Sequence, residues 1–424
     1  MLLLKNITII APFSDLNGQL VDIFINKNGV IEKIGVNLSA SKNATVFERA
    51  GTCVSVGWID VGVQTGDPGY EHREDLSSTA RAAMAGGFTA VAPFPNTHPA
   101  AHSKSEILYI KNKTQSYLVD FQPIGALSLE CKGTDIAEML DMHHAGAIAF
   151  SDGKRPVQDG GLVLRSMQYA KIFDGIIFNF PFDKTISPHG QMHEGLTSTS
   201  LGLPGIPSLA EELMVQRDLQ LLEYAQSRLH FHNISTARSV EWIRQAKKQG
   251  LKVTASVAAM NLCFSDESLM GFDTNMKVMP PLRGKTDIDA LIKGLKDGTI
   301  DFISSNHTPI DTEGKDLEFP YAEPGAIGLE TAFSMTETYL HKKLTIDQLV
   351  ELWSIKPRRV LGLDIPKIEE GSPANLTLFN PTEEWTFTHK HIYSKSNNSP
   401  VKGHILRGRV QGVVNKGQYW LREP

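Results

Sequence analysis

The groups of this chain that could do chemistry sit in short polar segments, each following an apolar run. The segments are Gly62-Val63-Gln64-Thr65-Gly66-Asp67-Pro68-Gly69, Pro93-Phe94-Pro95-Asn96-Thr97, Ser151-Asp152-Gly153, Asn179-Phe180-Pro181-Phe182-Asp183, His232-Asn233-Ile234-Ser235-Thr236 and Ser304-Ser305-Asn306-His307-Thr308-Pro309. Imidazoles and carboxylates in such places could hold a divalent metal or carry a proton. Asp152 and His307 are groups of that kind. His230 and His232, two apart on one strand, share a face and offer an imidazole pair.

Other motifs are incomplete. Gly284-Lys285-Thr286 matches the end of a phosphate-binding loop, but position 279 is Met where the upstream glycine belongs. His193-Glu194 begins like a zinc-protease helix, but position 197 is Thr, so the second helical histidine is missing. Val54-Ser55-Val56 is no nucleophile elbow, because Cys53 stands where the first glycine belongs. His143 and His144 are adjacent on a helical pattern, diverge by about 100°, and do not converge on one ion.

The polar segments need elements to position them. Strand patterns occupy residues 56–61, 88–92, 121–127, 147–150, 176–180, 229–234, 252–257 and 301–304. Helical patterns separate most of them, for example 74–85, 209–227, 240–249 and 288–296. Glycines close several helices, Gly86-Gly87, Gly146 and Gly250 among them. Eight strands alternating with helices predict an α/β fold, a (β/α)8 or TIM barrel over residues 56–364. In such a barrel the chemistry lies at the C-terminal ends of the strands, where the polar segments fall. An open doubly wound sheet is disfavoured, because the first strand-to-helix turn lacks the dinucleotide glycine fingerprint.

The two ends of the chain have a different texture. Residues 21–25 alternate, Asn28-Gly29 is a hairpin turn, and 30–34 alternate again. Residues 375–379 read as a strand, and 408–410 with 413–415 as a closing hairpin. One small β domain built from both termini, residues 1–55 and 365–424, is expected.

Composition bounds the partners. At about 150 residues per domain, 424 residues allow two or three folding units. With 41% apolar and 21% charged residues, a sizeable core is available and extended disorder is excluded. A net charge of −5 and a pI near 6.3 argue against nucleic acid as a partner. Cys53, Cys131 and Cys263 lie far apart, so neither a disulfide framework nor a zinc knot is expected. Lys5 interrupts the apolar start, and no stretch approaches the roughly 18 apolar residues of a membrane helix. A soluble, cytoplasmic protein with no membrane partner is expected.

Longer stretches carry a more specific signal. They are Asp67-Pro68-Gly69, Ala85-Gly86-Gly87-Phe88-Thr89, Pro95-Asn96-Thr97, Leu201-Gly202-Leu203-Pro204-Gly205-Ile206-Pro207, Lys277-Val278-Met279-Pro280-Pro281-Leu282-Arg283 and Gly328-Leu329-Glu330-Thr331-Ala332. With the strand ends, they make nearly the whole chain resemble the type I dihydroorotases of the amidohydrolase superfamily. The resemblance implies a barrel of the metal-dependent hydrolase type, with a small β-sandwich domain formed by both termini.

The ligands of that family are degenerate here. Its strand one ends in His-x-His, and this chain reads Gly62 and Gln64. Its strand-four aspartate corresponds to Asp152 or the residue beside it, and a second aspartate common there is Gly153. Its histidines after strands five and six correspond to Phe180 and Asn233, and its strand-eight aspartate to Asn306. Glycine offers no ligand, and amides are weak neutral ones. Asn306 has no protonation equilibrium with which to act as a base. With Asn233 at the inward ligand position, His232 is expected to point out toward the helices. The substrate pocket is altered too: the family's carboxylate-gripping arginine is Gly66, its asparagine before Pro-Pro-Leu-Arg is Met279, and a histidine beyond strand eight is Ile310. Asn96 and His307 remain.

The resemblance is thus closest to the non-catalytic dihydroorotase-like homologues that assemble with aspartate transcarbamoylase in pyrimidine synthesis. It implies no catalytic residue, no cofactor, and a structural or regulatory role, with a homodimer expected from the frequency of two-fold assemblies. The alternative is an active dihydroorotase or related cyclic amidohydrolase. It would interconvert dihydroorotate and N-carbamoyl-L-aspartate, with zinc in an altered site and Asp152 as its ligand.

Overall fold

The computed structural model describes residues 1–39 and 43–423, so 40–42 and 424 of the terminal β region lie outside the described residues. Parallel strands alternate with helices through the middle of the chain. One set, Trp58–Val63, Phe88–Pro93 and Asp120–Phe121, pairs in that order. A second runs Ile124–Gly125, Ala149–Phe150, Ile177–Asn179, Leu229–Phe231, Val253–Ala258 and Phe302–Ser304. The single strand expected over 121–127 is thus split into two short pieces around Gln122-Pro123, because Pro123 has no N–H to give a ladder. The pieces join the two sets into an eight-strand barrel. At the other seam, Gln64 N–H donates to the His307 carbonyl at 3.1 Å, and Ser305 N–H to Asp60 Oδ1 at 2.8 Å.

Every residue of Trp58–Val63 and Phe88–Pro93 is buried, as strands covered on both faces must be. The barrel interior packs Ile59, Val61, Ala90, Phe94, Ile124, Phe178 and Phe302. A larger cluster fills the layer between strands and helices, with Trp58, Phe88, Phe231 and Trp353 in it. The helix Leu76–Ala85 starts two residues later than its pattern suggested, because Asp75 caps it by accepting from Ser78 N–H at 2.7 Å.

The termini form one eight-stranded sheet. Its path runs Gln418–Leu421, Ile405–Asn415, Leu376–Thr386, Cys53–Val56, Leu2–Ile9, Leu20–Ile25 and Ile31–Gly35, with Thr45–Glu48 also paired to Leu2–Ile9. The junction between the two ends of the chain is the antiparallel ladder Val56↔Leu376 to Cys53↔Phe379. The closing hairpin differs from expectation. Residues 408–410 and 413–415 lie in one strand, and the turn comes after it, at Lys416 and Gly417 with φ of 52° and 72°. No helix of the described residues is long and apolar enough to cross a membrane.

Candidate functional site

The strand ends converge on the barrel mouth, where Gln64, Lys154, Phe180, Met279, Thr308 and Ile310 line a cavity of about 300 Å³. Lys154 is the residue that sequence reasoning missed. Its Nζ donates to Asn306 Oδ1 and lies 5.9 Å from the Phe180 ring centroid. Asn306 Oδ1 also accepts from Asn233 Nδ2 at 3.2 Å, and Asn306 Nδ2 donates to the Met279 carbonyl at 3.1 Å. Asn233 Oδ1 accepts from Ser304 Oγ at 2.7 Å. Burial pushes the Lys154 ammonium down to about 7, with the Asp60 carboxylate pulling the other way. The available signal was a lysine two residues beyond the strand-four aspartate. No linear pattern says that its stem turns inward.

Asp152 does not reach this cavity. Its carboxylate accepts from Leu127 N–H at 3.1 Å, Ser128 N–H at 2.8 Å and Ser128 Oγ, which spends it on the end of the third barrel strand. Asp152, the ligand that the alternative reading would use, is here a buried carboxylate engaged by these three donors and turned away from the cavity. Asn96 is likewise committed. Its Nδ2 donates to the Asp152 carbonyl at 2.9 Å and its Oδ1 accepts from Lys154 N–H at 2.8 Å. It occupies the space a side chain at 153 would need, since a Cβ on Gly153 would lie 2.0 Å from Asn96 Oδ1.

His232 corrects an expectation. It points into the barrel, not toward the helices, with its ring 4.8 Å from that of Phe94. His230 is also inside, stacked on Phe302 at 4.9 Å and hydrogen-bonded to Thr254 Oγ1 and Ser256 Oγ. The alternation fails because the ladder ends at Phe231 and Asn233 takes φ of 57°, which turns its side chain back over the barrel. A Cβ at Gly62 would lie 2.5 Å from His232 Cε1, so the imidazole fills the place of a residue-62 side chain. His232 Nε2 is buried without a hydrogen-bond partner, and burial holds the ring well below the ordinary histidine range, with Lys154 adding to the effect.

The other pocket positions are equally specific. At Gly66, φ is 65° and a Cβ would meet the carbonyls of Glu74 and Tyr70 at 2.6 and 2.7 Å, so no arginine can stand there. His307 lies outside the cavity, fully buried. Its Nδ1 accepts from Gly328 N–H at 3.1 Å, and its Nε2 is 3.4 Å from Glu74 Oε2. Its role is to hold the loop after strand eight, which corrects its placement in a substrate pocket. Asp60, in the first strand, is fully buried against Ser305, and burial pushes its carboxyl up to about 6.

A divalent metal does not fit these residues. Gly62, Phe180 and the neutral amides Gln64, Asn233 and Asn306, which the family resemblance sets against metal ligands, are joined by the Lys154 amine. Among the described residues, no group of three or more His, Cys, Asp or Glu is arranged to hold a metal ion.

The barrel with its sheet from both termini is an amidohydrolase-type fold. L-hydantoinase (dihydropyrimidinase) from Arthrobacter aurescens matches it with a TM-score of 0.85 at 23% identity, over 99% of this chain and 95% of that one. The dihydropyrimidinase of Brevibacillus agri NCHU1002 matches with a TM-score of 0.80 at 20% identity, over the same shares. Residues 51–239 match the family described as Dihydro-orotase-like, and residues 184–418 the Amidohydrolase family. The dihydroorotase of Acetivibrio thermocellus is 39% identical over 100% of this chain and 99% of its own length. That of Pelotomaculum thermopropionicum is 41% identical over the same shares. The chain belongs to the dihydroorotase-like family of amidohydrolases.

Proposed function

We propose that this chain has left metal-assisted dihydroorotase chemistry and serves pyrimidine biosynthesis as a structural or regulatory protein. The observation that carries this reading is Lys154, whose ammonium binds Asn306 Oδ1 between Phe180 and Asn233. An amine there supplies no anionic ligand and its protonated form opposes entry of a second cation, while Asn306 has no proton to exchange near neutrality. Aspartate transcarbamoylase is the partner that the family resemblance suggests, and a homodimer the assembly.

A second reading is favoured by the relatives, which carry the name dihydroorotase at about 40% identity over their full length. It makes the chain an active cyclic amide hydrolase, opening dihydroorotate or closing N-carbamoyl-L-aspartate with a rearranged site. The donor set weighs against it. The deciding experiment measures turnover in both directions, with zinc supplied, on protein from a host lacking its own dihydroorotase. Metal content is read by mass spectrometry. The expected result is no turnover and less than a tenth of an equivalent of zinc, by order of magnitude. Turnover that follows the purified protein would establish the second reading. A partner role is checked by co-purification from native lysate, where absence of a transcarbamoylase at any salt concentration would remove it.

A further inference from the structure

Lys154 lines the barrel-mouth cavity as a cation with only neutral partners. Its Nζ has Asn306 Oδ1 as acceptor and the Phe180 ring beside it. Among the described residues it makes no ion pair. The Asp60 carboxylate acts on it from the barrel interior, but both Asp60 oxygens are held by Ser305 N–H and Oγ. The remaining charges of the wall are unequal. Arg73 is engaged by two carboxylates, Glu323 at 2.7 and 2.9 Å and Asp311 at 3.2 Å, so that corner of the wall holds one negative charge in excess. Lys184, exposed at the cavity wall, has no such carboxylate among the described residues. Lys154 and Lys184 are thus the wall cations without a carboxylate partner among the described residues, and Lys154 is the inner one, apart from the acidic corner at Glu323.

An ammonium in an apolar cavity with one amide partner is a costly arrangement, and an entering monoanion offsets that cost. The other walls are Phe180, Phe182, Met279 and Ile310, which suit a flat or apolar body. At about 300 Å³ the space is at the small end for ligand pockets. We propose that this cavity seats a small organic carboxylate, with the Lys154 ammonium as its counter-ion at the former metal position. The seat is separate from the Gly66 turn, where the backbone leaves no room for a gripping side chain. The inference deepens the metal-free reading and rests on it.

The test is calorimetric titration of the full chain, after chelator treatment, with benzoate, acetate and inorganic phosphate at one ionic strength set by chloride. Benzoate is expected to bind, acetate more weakly, and phosphate no better than chloride. Lys154→Met should weaken benzoate at least about tenfold, and Lys184→Met about two- to threefold, as a rim charge does. Asn306→Asp supplies an internal carboxylate to the ammonium and should abolish binding, which keeps the test open if Lys154→Met does not fold. Unchanged benzoate affinity in either Lys154→Met or Asn306→Asp overturns the proposal, as does phosphate binding above benzoate. Zinc content and turnover are read on untreated protein. A zinc-loaded, active sample removes the metal-free reading itself, whereas a zinc-free, inactive sample that ignores benzoate removes the carboxylate seat alone.

Discussion

Two neighbouring residues, Asp152 and Lys154, exchange the roles their chemistry suggests. The carboxylate is structural, and the ammonium faces the cavity. Removing the Asp152 side chain leaves Ser128 N–H and Ser128 Oγ without their acceptor in a buried place, and leaves Leu127 N–H only the Ser151 carbonyl at 3.3 Å. Each such loss costs about 1–3 kcal/mol, so Asp152→Ala should destabilise the fold by about 3 kcal/mol. Urea denaturation measures it. Zinc content should be the same before and after the change. A variant of full stability that loses bound metal would instead make Asp152 a ligand.

Strand one and strand six meet through an exchange of volume. Gly62, with φ of 88°, leaves out the side chain whose place the His232 ring takes, and Phe94 closes the other side with a ring carbon 2.9 Å from a Cβ built there. Gly62→Ala therefore meets both backbone strain and a collision, and should cost about 3 kcal/mol. In a His232→Ala background the collision with the imidazole disappears while the strain and the Phe94 contact stay, so the cost of the same change should fall to about half. Thermal unfolding of the four proteins checks this. Strictly additive losses would mean that the two residues do not share space. The same logic makes a histidine at position 62 insufficient to restore a ligand, because the imidazole of strand six stands in its way.

The molecule as a whole buries several lysines. Burial pushes Lys154 and Lys315 down to about 7 and Lys277 to about 8, from an ordinary value of 10.5. Lys277 and Lys315 donate to backbone carbonyls, Phe319 and Pro320 for the first, Thr274 and Glu323 for the second. Above pH 7 the folded chain holds fewer protons on these groups than the unfolded chain, so stability rises with pH. The penalty is fully present below the folded values. The urea midpoint is expected to climb from about pH 7 to about pH 8, before ionisation of the unfolded thiols near 8.5, whose folded counterparts burial pushes up, begins to oppose it. Lys154→Met should reduce that slope. A midpoint that falls over this window would contradict the assignment.

Much of this organisation is legible along the chain because it depends on local periods. Strands and helices alternate through the middle, glycines close the helices, and the termini share a β pattern. Each follows from burial on one face or two, which repeats every few residues. The shortage of ligand groups at these strand ends is equally local, since Gly62, Phe180, Asn233 and Asn306 carry no imidazole, thiolate or carboxylate wherever they point. Direction is not local in that sense. Beyond the last paired residue of a strand, alternation stops, and Gly153, Asn233 and Asn306 all take positive φ, between 57° and 58°. Those turns send Lys154 into the mouth and Asn233 back over it, while Asp152 stays on the far side of the loop. Three-dimensional packing alone supplies the contacts that choose between these orientations: Asn96 against Gly153, the His232 ring against Gly62, and Ser305 against Asp60, each joining residues far apart in the chain.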